Sequence, residues 1–226
     1  APYQRLEKEV LHASEKAAAE EKERNDEALN EDAGANVNKH HANFLKRWWL
    51  MSYPREDLMN TLAPLSRYIV CARVTHRPIF EFVSTSIHPN DALSVFALED
   101  DYSFGILQSD THWNWFINRC STLKADFRYT SETVFDSFPW PQTPTAAQVK
   151  RVAQKAVALR KLRNALKHEH GLSLREMYRV LEGPGTHPLK AAHAELDEAV
   201  RAAYAMPKKA DPLSFLLDLN YAVFAA

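Results

Sequence analysis

The 226-residue sequence predicts an α+β fold, in which a small mixed sheet with flanking helices is followed by an all-helical C-terminal region. Three observations predict it. Between Phe44 and Pro141, short β-branched and aromatic runs alternate with breaks at Pro78, Pro89 and Glu99-Asp100-Asp101, the pattern of short strands between turns. Phe138-Pro139-Trp140-Pro141 closes that stretch, because prolines two apart continue neither a helix nor a central strand. Beyond it, Thr145-x-x-Gln148 and Ser173-x-x-Glu176 are capping boxes, each opening a run with apolar residues at helical spacing. These changes divide the chain into a charged helical arm and linker over 1–43, an α+β module over 44–141 and a helical domain over 142–226.

Residues 3–29 are rich in Ala, Glu and Lys and free of Pro and Gly, so they should be helical. Apolar residues thin out after Leu11 without a heptad seam, which argues for a solvated arm rather than a coiled coil. The arm should lead into a loop over 34–43. Trp48 and Trp49 read as core. A helix with Leu58, Leu62 and Leu65 then precedes strand-like runs at 68–74, 79–83, 93–98 and 103–107. Ser109 or Asp110 caps a helix through Trp113, Phe116 and Ile117, and 127–135 returns to extended character. In the last third, Val149, Val152, Ala156, Leu159 and Leu166 share one helical face. Met177, Tyr178 and Leu181 follow the second capping box, Pro188 fits the first turn of a helix through Leu196 and Val200, and Asp211-Pro212 opens the last helix.

Composition excludes several classes. With 46% hydrophobic and 25% charged residues the chain can bury a core. A net charge of −1 excludes a uniformly basic nucleic-acid binder but allows a local basic face. Residues 1–32 carry five Lys/Arg against ten Asp/Glu, whereas residues 141–170 carry seven against one. No stretch approaches the ~18 apolar residues of a membrane span, and no membrane partner is expected. The chain begins at Ala1 and lacks a signal-peptide core, so it reads as a piece of a longer chain. Only Gly183-Pro184-Gly185 resembles a glycine cluster, and it reads as a loop between helices, so no nucleotide cradle is expected. Cys71 and Cys120 fit neither a disulfide framework nor a zinc site and read as reduced thiols of a cytosolic protein.

No catalytic constellation emerges. His168-Glu169-His170 places its imidazoles on different faces of a helix that Gly171 should end, so no metal site is expected there; His40-His41 lies in a polar loop. Ser109, Asp110 and His112 could suggest a nucleophile set, yet they look like a helix N-cap and lack the Gly-x-Ser-x-Gly elbow. Glu20-x-Lys22 stands in a run of alternating charges. Lys150, Arg151, Lys155, Arg160, Lys161, Arg163 and Lys167 form either a solvated helix face or a phosphate-contacting one. In Lys124-Ala125-Asp126-Phe127-Arg128, a strand would put Lys124, Asp126 and Arg128 on one face. That face is either a solvated edge or one that meets a polar partner.

Several strings, taken in order, carry a family resemblance: Trp48-Trp49, Arg55 with Leu58 and Leu62, Arg67-Tyr68-Ile69, and 102–109 (YSFGILQS) with His112-Trp113-Asn114-Trp115. They continue with Asp126-Phe127-Arg128-Tyr129-Thr130, Phe138-Pro139-Trp140-Pro141, and 196–200 (LDEAV) with Tyr204. From about Trp48 onward the chain resembles the target-recognition and C-terminal region of MmeI-like bacterial DNA adenine-N6 methyltransferases, which combine restriction and modification in one chain. The resemblance implies a double-stranded DNA sequence-recognition module working in the bacterial cytoplasm beside a methyltransferase domain of the same parent chain. S-adenosylmethionine would bind in that other domain and no cofactor here, since no Asn-Pro-Pro-Tyr motif is present. By the same resemblance Lys124 and Asp126 jointly read one base pair and Arg128 another, with Ala92 beside the latter. Lys donates to guanine O6 and N7 and Asp accepts from cytosine N4, so the pair suits G·C. Arg73, His76, Arg77, Ser109, His112, Tyr129, Lys150 and Arg151 are the expected phosphate-contacting or supporting residues. The alternative is a protein-interaction domain using the C-terminal helices, which would require an exposed apolar patch there.

Overall fold

The computed structural model describes residues 2–50, 55–123 and 126–224, without the side chains of Pro2 and Leu123. It forms two compact units, residues 1–59 and 60–226. The boundaries drawn from sequence at 43/44 and 141/142 do not mark this division, because the strands share one hydrophobic core with the C-terminal helices.

In the first unit, helical residues run as α1 (Pro2–Leu6), a π-helical turn (Glu7–Leu11) and α2 (His12–Glu31), exposed along most of their length. The loop expected over 34–43 is cut short by α3 (His40–Leu45). The side chain of Glu21 makes this possible, accepting hydrogen bonds from the backbone N–H groups of His41 and Ala42, both at 2.9 Å, donors that a helix start otherwise leaves unpaired. Trp49 is 55% exposed and not core, since the polar arm offers few apolar partners; Trp48 is half-buried, 6.0 Å from the ring of Tyr3.

After α4 (Glu56–Leu62), three strands form a sheet in the order β2-β1-β3: β1 (Arg67–Ala72), β2 (Glu81–Ser84) and β3 (Leu93–Phe96). The sheet expected to be mixed is antiparallel throughout, with Ile69 opposite Phe82 on one side and Phe96 on the other. Residues 68–71 of β1 are all buried, as a central strand covered on both faces must be.

The run 103–107 is helix, not strand. It lies in α5 (Asp101–Gln108), where the Asp100 carboxylate accepts the Ser103 N–H at 2.7 Å. What reads as an acidic turn is therefore an N-cap. Gly105 lets this helix lie close to its neighbours, since a Cβ there would stand 2.7 Å from Val152 and 3.3 Å from Leu196. Ser109 caps α6 (Asp110–Arg119) as expected. A short hairpin follows, β4 (Ser121–Leu123) with β5 (Asp126–Arg128), and Leu123 pairs with Asp126. Extended structure ends there, because residues 131–135 form a π-helical turn.

The C-terminal helices are α7 (Ala146–His170), α8 (Leu174–Glu182), α9 (Pro188–Ala203) and α10 (Pro212–Phe224). Both expected capping boxes form, and α7 ends at Gly171 with φ 63°, a left-handed cap. α7 packs on α5 and α9, which joins the helices to the sheet module.

Candidate nucleic-acid interface

Residues 73–75 continue β1 toward the hairpin and pair with β5. Thr75 donates its N–H to the Phe127 carbonyl at 2.9 Å, and Tyr129 donates to the Arg73 carbonyl at 2.7 Å. Arg73 also donates its own N–H to the Ala92 carbonyl at 2.8 Å. The backbone of Arg73 thus stands between Ala92 and β5, the two segments expected to lie together. Successive strand residues face opposite ways. Phe127 packs inward, its ring edge-on to Phe116 at 6.0 Å, while Arg128 is exposed and Asp126 half-exposed. Asp126 pairs with His76 at 3.1 Å. Next to it, the Arg77 guanidinium lies 5.0 Å above the Trp113 ring and 6.0 Å from that of Tyr178, a placement that fixes the cation without neutralising it. The structure therefore brings His76, Arg77 and Asp126 to one cleft, with Arg128 on the same strand face as Asp126. Val74 is the residue opposite Arg128, so alternation turns the Arg73 side chain to the other face. Lys124 lies outside the described residues.

Three expected residues lie beneath that surface. Tyr129, His112 and Ser109 are all buried. The Tyr129 hydroxyl and His112 Nε2 are 3.0 Å apart, and the Ser109 hydroxyl donates to the Ile106 carbonyl at 2.7 Å. Burial pushes the His112 pKa down to about 3, so the ring is neutral. Their place is the aromatic core under β5, where Tyr129 also meets Phe96 at 5.4 Å and Phe116 at 5.5 Å. A hydrolase based on Ser109 and His112 is excluded, since neither reaches solvent.

The basic face expected on α7 is largely consumed by carboxylates. Arg151 pairs with Glu198 at 3.3 Å, Lys155 with Glu195 at 2.6 Å, Arg160 with Asp101 and Arg163 with Glu81. Lys150 is exposed, and no hydrogen bond or ion pair among the described residues links it or Arg151 to the surface around β5. Arg163 is 1% exposed, not on an outer face, and donates to the Phe80 carbonyl at 2.8 Å and to Gln108. The signal for it was present in the spacing. Position 163 lies four after Leu159 and three before Leu166, on the face that packs inward.

The α+β module thus presents an exposed, mixed-charge strand beside arginines without an ion pair among the described residues, on a closely packed aromatic floor. Residues 69–142 match the family model described as "MmeI, target recognition domain". The chain is also 34% identical over 105 residues to DNA methyltransferase A of Bacillus subtilis (strain 168), a match that covers 46% of this chain and 11% of that protein. Its fold is similar to part of the type IIL restriction-modification enzyme MmeI, solved in complex with DNA: the TM-score is 0.71 at 21% identity, over 92% of this chain and 26% of the other. The chain thus spans only a minor part of either relative.

Proposed function

We propose that this chain reads double-stranded DNA sequence for an S-adenosylmethionine-dependent DNA adenine-N6 methyltransferase of the restriction-modification type in the bacterial cytoplasm. The methyltransferase domain and its cofactor belong to another part of the parent chain. One observation carries this reading: the segment matched to a target recognition domain contains a surface on which His76, Arg77 and Asp126 meet beside the exposed Arg128. In the major groove Arg128 donates to guanine O6 and N7, and Asp126, with Lys124 beside it in sequence, reads a neighbouring G·C pair. Arg73, Arg77 and Lys150 contact phosphates, which fix register without specifying sequence. Ser109, His112 and Tyr129 support β5 from beneath. In a binding selection with the full-length protein, Arg128→Ala should relax one base pair by ~1–3 kcal/mol and leave the others; an unchanged preference at every position would refute the assignment.

One observation favours the protein-interaction alternative. On α10, Leu217, Tyr221, Val223 and Phe224 are exposed, Tyr221 at 78% and Phe224 at 70%, more apolar surface than a terminal helix needs in isolation. This face suits packing against another domain of the parent chain and is compatible with DNA reading by β5.

A further inference from the structure

We infer that α8 forms a second phosphate-binding wall, with Arg175 and Arg179 holding the DNA backbone across a cleft from β5; this rests on the DNA-recognition reading. A cleft of about 670 Å³ lies between the two. His76, Arg77 and Asp126 line one side, and Arg175, Arg179 and Glu182 of α8 line the other. Arg175 and Arg179 are one helical turn apart, so they project from the same face of α8, and both are exposed.

Charge pairing decides where phosphates can be held. A cation already bound to a carboxylate must break that pair before it can neutralise a phosphate. The α7 cations Arg151, Lys155, Arg160 and Arg163 are all so bound. Arg175 and Arg179 have no ion pair among the described residues. Of the carboxylates near the cleft, Glu81 is engaged by Arg163 and Asp126 lies 3.1 Å from His76. The charges that oppose the α8 arginines are Glu182 in the lining and Glu176, which acts on Arg179 from the same helix. A duplex that offers base edges to β5 carries a phosphate strand on either side of the groove it presents. α8 is the element that faces β5 across the cleft with cations to spare.

The test is the salt dependence of DNA binding by the full-length protein, measured on one duplex over about 50–200 mM salt. Each phosphate contact adds about 0.9 to the slope of log affinity against log salt. Arg175→Gln/Arg179→Gln should therefore flatten the slope by about 1.8 with base preference unchanged. Arg175→Lys/Arg179→Lys should keep most of the slope, and Glu182→Gln should tighten binding. A Gln double variant that melts like the wild type and keeps the full slope would overturn the inference. Arg128→Ala in the same assay separates the two ideas. A flattened slope from the α8 variant beside an unchanged base preference in Arg128→Ala would refute base reading and keep the α8 wall. The converse result would refute the α8 wall alone, and no salt-dependent binding at all would overturn both.

Discussion

His112 and His193 are neutral rings in the core, each held by a tyrosine hydroxyl at 3.0 Å, from Tyr129 and Tyr178 respectively. Burial pushes both pKa values down to about 3. Below their ordinary value of about 6.5 the unfolded chain takes up two protons that the folded chain refuses, so stability is lost as pH falls. Asp197 works the other way. Burial pushes its pKa up to about 7 while it accepts the Asp110 N–H at 2.7 Å, so between pH 7 and 4 the folded state holds a proton that the unfolded state lacks. The balance is one proton, a loss of ~1.4 kcal/mol per pH unit between pH 6.5 and 4. Urea midpoints should fall over that range, and Asp197→Asn should steepen the fall by removing the counterweight; midpoints that rise on acidification would contradict this. Arg163→Met leaves Glu81 and the Phe80 carbonyl without their donor and Gln108 with the Phe80 N–H alone, and should cost about 2–4 kcal/mol by chemical denaturation, below the cost of a fully buried pair because Glu81 reaches water.

At the scale of elements, the junction of α5 with α7 and α9 sets the position of everything above it. Gly105→Ala gains helix propensity of about 1 kcal/mol but places a methyl 2.7 Å from Val152. The overpacking should dominate, lowering stability by a net ~1–2 kcal/mol in denaturant titration; a variant as stable as the wild type would show that the helices separate freely. This element was also the one least legible in the sequence. Residues 103–107 are apolar, short and follow an acidic cluster, and over five residues a buried helix and a buried strand have the same pattern. The distinction lies in Asp100, whose carboxylate caps the helix, a role its type allows as readily as a turn. Local signals succeeded where side chain and backbone meet within a few residues, as in both capping boxes, the Ser109 cap and Gly171. Long-range signals did not carry. The sequence separation of 20 between Glu21 and His41 hid α3, and that of 82 between Arg163 and Glu81 hid a buried cation.

At the scale of the molecule, charge is placed by pairing rather than by abundance. The segment with most excess Lys/Arg, 141–170, gives up four of its cations to ion pairs. The surface around β5 draws on cations scattered over 76–77, 128 and α8. Residues 124–128 were legible as candidates because alternation and the family resemblance agreed there, and Arg73, His76 and Arg77 because they sit at a strand end; α8 was not, because only the fold brings it opposite β5. A binding surface of this size on a chain of net charge −1 should be modest in isolation and depend on the rest of the parent protein for affinity.

The central claim, that β5 and the residue pair around its start read a base pair, is tested most directly by exchanging charges there. Methylome sequencing of DNA modified by the full-length protein should give one defined adenine-containing motif for the wild type. Lys124→Glu/Asp126→Arg should give the same motif with a single base pair changed, because the donor and acceptor have traded places. The same motif from both proteins would contradict the account and move base reading away from β5.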